Sequence, residues 1–212
     1  MERRENGLAA ALGLRAHSGW AVMVAVAGGS AILRRRIEMT KGSGFRASQP
    51  YHAAAELKLP QAEASLQSAE KIAVEMAVAA LKDAVASLAD RGYRVIGAAV
   101  LLGSGKQLPE LAKILAAHPL IHTAEGVFFR DVLKSAFEAC GLAVVGIKER
   151  EVLERCAEAL GLPVVQLPAR LAAMGKALGP PWTQDEKFSA AAALTISRVA
   201  RAQISPFPFS GA

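Results

Sequence analysis

Aromatic residues make up only 5% of this 212-residue chain, so its core cannot rest on large rings. Alanine recurs through the helical patterns instead, and close helix contacts through small side chains are expected. There are two cysteines, too few for a disulfide framework. Cys140 and Cys156 both fall at apolar positions of helical patterns, where a free thiol acts as a small hydrophobe. A reducing, cytoplasmic setting is therefore expected, with neither thiol reactive. No stretch of about 18 apolar residues occurs, so no membrane span is expected. The opening Met1-Glu2-Arg3-Arg4-Glu5-Asn6 mixes acids with bases and makes a poor secretory signal. Basic residues form no block longer than Arg34-Arg35-Arg36, and the apolar run 95–102 contains no acid at all.

What is present is ample apolar material. Hydrophobic residues are 52% of the chain and the formal charge is +6. The first figure fills a core; the second favours an anionic partner such as a nucleotide, another phosphorylated small molecule or nucleic acid. The apolar run 95–102 does not alternate, stops at Gly103-Ser104-Gly105-Lys106, and is answered by a second run, 142–147, after a helix ending at Gly141. Strand, loop, helix and strand in that order, with unbroken apolar strands, predict an α/β core whose parallel strands are covered on both faces.

Upstream, residues 8–14 and 20–27 are apolar, joined by a polar corner Arg15-Ala16-His17-Ser18-Gly19. Gly28-Gly29-Ser30 then turns into 31–39, a hairpin partner. Its arginine triplet has two readings, an edge strand whose charge deters pairing with another molecule or a contact surface for nucleic acid. From Pro60, a helical stripe through Ala62, Leu66, Ala73, Ala77 and Leu88 predicts a helix of about thirty residues, roughly 45 Å long. Gly92 closes it. Further helices are expected over 108–117, from a Thr123 cap to Cys140, over 149–160 and over 168–178, with 162–167 an edge strand or extended link. Thr183-Gln184-Asp185-Glu186 reads as a capping box for the last helix. One domain over 1–204 with a Pro-Phe tail at 205–212 is expected.

This order of elements, with Leu12-Gly13-Leu14-Arg15-Ala16-His17-Ser18-Gly19 as its opening strand and turn, resembles the ribonuclease H-like superfamily, which includes resolvase-type nucleases and actin-like ATPases. The resemblance implies a mixed five-stranded sheet, its second strand antiparallel, with helices on both faces. It also implies two divalent metals held by carboxylates on the first strand, the fourth strand and the last helix. This sequence departs from that pattern. Arg15 stands at the first-strand acid position, 95–102 has no acid, and Asp185 and Glu186 already have a capping role. Metal-dependent nuclease activity of the family kind is not expected, and no metal ligand is assigned.

Two candidate sites remain. In the resembled fold the first corner and the loop after the fourth strand share one end of adjacent strands, so Arg15, His17, Ser18, Gly103, Ser104, Gly105 and Lys106 could converge on an anionic ligand. The full phosphate-loop pattern fails, since Val100 replaces its first Gly and Gln107 its Ser/Thr. The second site is His118-Pro-Leu-Ile-His122-Thr-Ala-Glu125. Zinc would need the two imidazoles and the carboxylate to converge, Pro119 is expected to spoil their spacing on one helix face, and a fourth partner is not evident. His122 and Glu125 could instead act as an acid/base pair in a cleft. The sequence thus predicts a catalytically degenerate ribonuclease H-like domain that binds a phosphorylated or anionic ligand. Alternatives are an enzyme using His122 and Glu125 beside the Gly103 loop, a homodimeric interaction module using the Pro-Phe tail, and a nucleic-acid-associated protein; no particular cofactor is implied.

Overall fold

A computed structural model describes residues 7–41, 48–103 and 107–199. Five strands, β1 (Leu8–His17), β2 (Trp20–Ala27), β3 (Ser30–Glu38), β4 (Tyr93–Leu102) and β5 (Val144–Lys148), form one sheet in the order β3-β2-β1-β4-β5. β2 runs antiparallel to both β1 and β3, while β1, β4 and β5 are parallel. This is the mixed five-stranded sheet, its second strand antiparallel, that the resemblance implies.

The lack of alternation in the apolar runs has a direct cause, because both faces of the sheet are buried. On β2, Ala21, Met23 and Ala25 enter one core while Val22, Val24 and Val26 enter the other. The first core holds α2 (Leu59–Asp90) and α4 (His118–Ala139), with Phe129 and Phe137 fully buried. Each such ring stabilises the fold by roughly 2–3 kcal/mol. The second core holds α5 (Val152–Leu160), α6 (Leu167–Met174) and α7 (Gln184–Val199). Small residues dominate where α7 meets the sheet. Ala190 through Ala193 are buried there, and a Cβ on Gly13 would collide with the Ser189 carbonyl oxygen and come within 2.7 Å of the Ala193 amide nitrogen. Gly13 is therefore required by a backbone-to-backbone approach of α7 onto β1.

The long helix matches its expected length, with 32 residues, Pro60 in its first turn and Gly92 at φ +78° just beyond its end. β3 is an edge strand, as its charge implied. Each arginine of its triplet has a partner within the chain. Arg34 donates to the Gly179, Pro180 and Pro181 carbonyls, Arg35 pairs with Asp83, and Arg36 pairs with Glu38 while lying 3.7 Å over the Trp20 ring.

Four local expectations are corrected. β1 continues through Arg15 to His17, so only Ser18 and Gly19 form the corner, because β2 pairs with β1 out to His17 opposite Trp20. The segment 162–167 is no strand; a 3-10 turn over Val164–Gln166 leads straight into α6. The short helix α3 (Leu111–Leu115) covers only the middle of 108–117. Finally, α4 begins at His118 instead of after Thr123, because proline is well suited to a first helical turn, where its missing N–H has no partner to lose. Thr123 bonds back to the Pro119 carbonyl and caps nothing. The tail at 205–212 lies outside the described residues.

Candidate functional site

Three parallel strands end side by side at one edge of the sheet. Leu14 pairs with Val100 and Leu102 with Lys148, so the ends of β1, β4 and β5 place His17, Gly103 and Glu149 along a common rim. The first turn of α7 sits over that rim, fixed by a capping box in which Glu186 accepts from the Thr183 amide at 2.7 Å and hydroxyl at 2.6 Å. Glu186 is thus the capping acid. Asp185 has a different role.

Asp185 and Glu149 both grip Arg15. The Arg15 guanidinium donates to Glu149 at 3.1 and 2.6 Å and also bonds Asp185, while its plane faces the Phe188 ring at 5.7 Å. The hydrogen bond to Glu149, followed by that to Asp185 and both carboxylate charges, raises its pKa above the ordinary arginine value, with burial opposing. His17 completes the group. Its ring stacks on Trp20 at 4.3 Å, and Nε2 lies 3.1 Å from Asp185 Oδ2 without hydrogen-bond alignment. Ser18 is exposed.

This arrangement does not fit the pair of divalent metals that the resemblance implies. The first-strand position carries a cation instead of an acid, β4 contributes no carboxylate, and the two carboxylates at hand are both paired with Arg15. A hard cation would have to displace a guanidinium held by both.

On the other side of the rim lies a residue that the sequence reading missed. The Arg130 guanidinium, projecting from α4, is wedged between Gly103 and Gly126, each of which would bring a Cβ to 3.2 Å from Nη2. It makes no ion pair or hydrogen bond among the described residues. Burial pulls its pKa below the usual arginine value, with the charges of Asp131 and Glu149 opposing. The available signal was the Gly126-x-x-x-Arg130 spacing, which lets the side chain fold back over a residue with no Cβ. Ser104, Gly105 and Lys106 lie outside the described residues.

His122 and Glu125 stand near the start of α4. Glu125 is 3% exposed, and its partner is His52 of α1 (Pro50–Ala54): Oε1 lies 2.9 Å from His52 Nδ1 and accepts from the His52 amide at 3.3 Å. Because α4 starts at His118, His118 and His122 share one helix face four residues apart, so Pro119 does not spoil their spacing. The third imidazole that the sequence reading lacked is His52.

No protein-family model and no curated protein matches the chain. Among solved structures it is similar to T. thermophilus RuvC in complex with a Holliday junction substrate, at 13% identity and a TM-score of 0.47, covering 91% of this chain and 95% of that one. It is also similar to Thermus thermophilus RuvC, at 12% identity and a TM-score of 0.45, covering 91% and 96%.

Proposed function

We propose that this protein is a ribonuclease H-like domain without two-metal nuclease chemistry, which binds a phosphorylated or otherwise anionic ligand at the rim formed by the ends of β1 and β4. One observation carries the reading: a guanidinium, Arg130, is partly buried against the Gly103 turn with no acceptor among the described residues. Leaving a desolvated cation uncompensated is unfavourable, and an anion seated there would complete it. The Gly103-Ser104-Gly105-Lys106 segment would add backbone N–H groups, a hydroxyl and an ammonium.

Arg15 has a different part in this reading. Already held by two carboxylates, it offers an incoming anion little directly; it offsets part of the charge of Glu149 and Asp185, which would otherwise repel one more strongly. Ser18 and His17 stand on the same rim. The net charge of +6 supports the same sign of ligand.

Titration calorimetry with inorganic phosphate, pyrophosphate and ATP tests the site. Arg130→Ala should weaken whichever probe binds by at least tenfold, and Arg130→Lys should restore only part, since the ammonium lacks the planar fork. Arg15→Ala should weaken binding through the exposed carboxylates. Binding unchanged in Arg130→Ala would sink the proposal. A parallel titration with duplex and single-stranded DNA at several salt concentrations separates a small anion from nucleic acid, because phosphate-backbone contacts give a steep salt dependence.

A further inference from the structure

The chain has four histidines, and three of them meet. His118 and His122 project from the first two turns of α4, and His52 comes from α1, which packs against α2 and α4. The rings stand edge to face, with centroids 5.2 Å apart for His52 and His118, 4.8 Å for His52 and His122, and 4.4 Å for His118 and His122. One ligand nitrogen from each lies within 4.8 Å of the other two. We propose that His52, His118 and His122 form a site for a single divalent transition metal of the zinc class, with Glu125 as the positioning carboxylate behind His52.

The distances are within reach of those a metal would set. Zinc bonds imidazole nitrogen at about 2.0–2.1 Å in tetrahedral geometry, which sets neighbouring ligand nitrogens about 3.3–3.4 Å apart. The His52 and His118 Nε2 atoms are 3.4 Å apart. The remaining closure is small, and the exposed side chains of His118 and His122 can supply it by rotation.

Glu125 is the second, independent observation. Its buried carboxylate faces His52 Nδ1, which fixes the proton on that nitrogen and leaves the Nε2 lone pair directed at His118 and His122. A carboxylate behind a ligating histidine orients the ring and raises its basicity. With a proton on its Nε2, His118 donates to that lone pair; with the proton on Nδ1, the two Nε2 atoms can share a cation instead. A dication near the start of α4 meets the positive end of the helix dipole, and the negative charge of Glu125 opposes that term.

Imidazole donors select zinc, nickel, cobalt or copper over magnesium and calcium, which prefer oxygen. Three protein ligands leave a fourth position, and because His118 and His122 are exposed, that position faces solvent. It is open to water or to an anionic donor. This site shares no residue with the Arg130 rim, so either can fail without the other.

The test uses the full chain with any affinity tag removed and metal stripped by chelator. Zinc retained after gel filtration should approach one ion per chain, and cobalt should develop the intense visible bands of a tetrahedral complex. His118→Ala and His122→Ala alter exposed side chains and should fold normally by circular dichroism, yet each should weaken cobalt binding at least a hundredfold. Glu125→Gln should weaken it by about 10–100-fold. Zinc that a desalting column removes, or cobalt bands that persist in His122→Ala, would overturn the site; unchanged affinity in Glu125→Gln would overturn the part given to the carboxylate.

Discussion

The sheet-edge cluster and the histidine cluster both gather polar side chains from segments far apart in sequence, yet they close their charge in opposite ways. At the rim the chain brings two carboxylates, Glu149 and Asp185, and supplies the cation itself through Arg15. Around His52 it brings three imidazoles and one buried carboxylate. A covalently attached cation cannot leave, so the rim carboxylates are committed to structure. A cluster of neutral nitrogen donors with an opposed carboxylate is suited to an ion that comes and goes. The fold is the same beneath both; the sign of one residue on β1 separates a structural cluster from one that could bind.

The largest test of this contrast separates the two faces of the sheet. Gly13→Ala should push α7 away from β1 and cost about 3 kcal/mol or more in urea unfolding, because the collision is with backbone. It should free Asp185 from Arg15 while leaving zinc stoichiometry near one, since the histidines lie on the opposite layer. Zinc itself gives the next effect. At a hundred times its dissociation constant it should stabilise the wild-type chain by about 2.7 kcal/mol, and it should do nothing for His122→Ala.

Arg15→Ala comes third. It leaves two partly exposed carboxylates facing each other, and about 2 kcal/mol should be lost after allowing for solvent screening. In that variant alone, manganese should raise the melting temperature, because the acids are then free to hold a hard cation. The smallest effect concerns pH. Burial, opposed by the charge of Arg170 and a hydrogen bond with Thr195, pushes the Cys156 thiol up to about 11. The folded state therefore keeps its proton where the unfolded chain has lost it. This contribution is fully present below about pH 9 and is lost as the pH rises to about 11. Cys156→Ala should flatten that slope in chemical unfolding. Cys156 lies in the same core as α7, so alkali should loosen the rim face.

Much of the fold was legible because burial on both faces leaves a plain trace in sequence. Strands of 8 to 10 residues with no polar alternation and a 32-residue stripe at helical spacing each have one economical reading, while the charged third strand had two until its place at the sheet edge was seen. Boundaries were less legible where two rules competed. Pro119 reads as a breaker until the helix is seen to begin one residue before it, and 162–167 reads as extended because Pro163 and two valines favour that state locally. The packing of Leu167 and Leu171 into the second core fixes it as a turn into a helix.

The candidate sites were legible only in part, for a different reason. Arg15 at an acid's usual position could be read directly, and it removed two-metal chemistry from the expectations. That its partners are Glu149 and Asp185 could not be read, since they are 134 and 170 residues away. Likewise His118 and His122 were visible as a pair, while His52 stands 66 residues before the first of them. Sequence alone determined which stretches must be buried and which charges are missing, because hydrophobic periodicity is local. Tertiary structure alone decided which distant polar groups share a centre, because the hydrogen bonds and ion pairs that join them form only after the layers have packed.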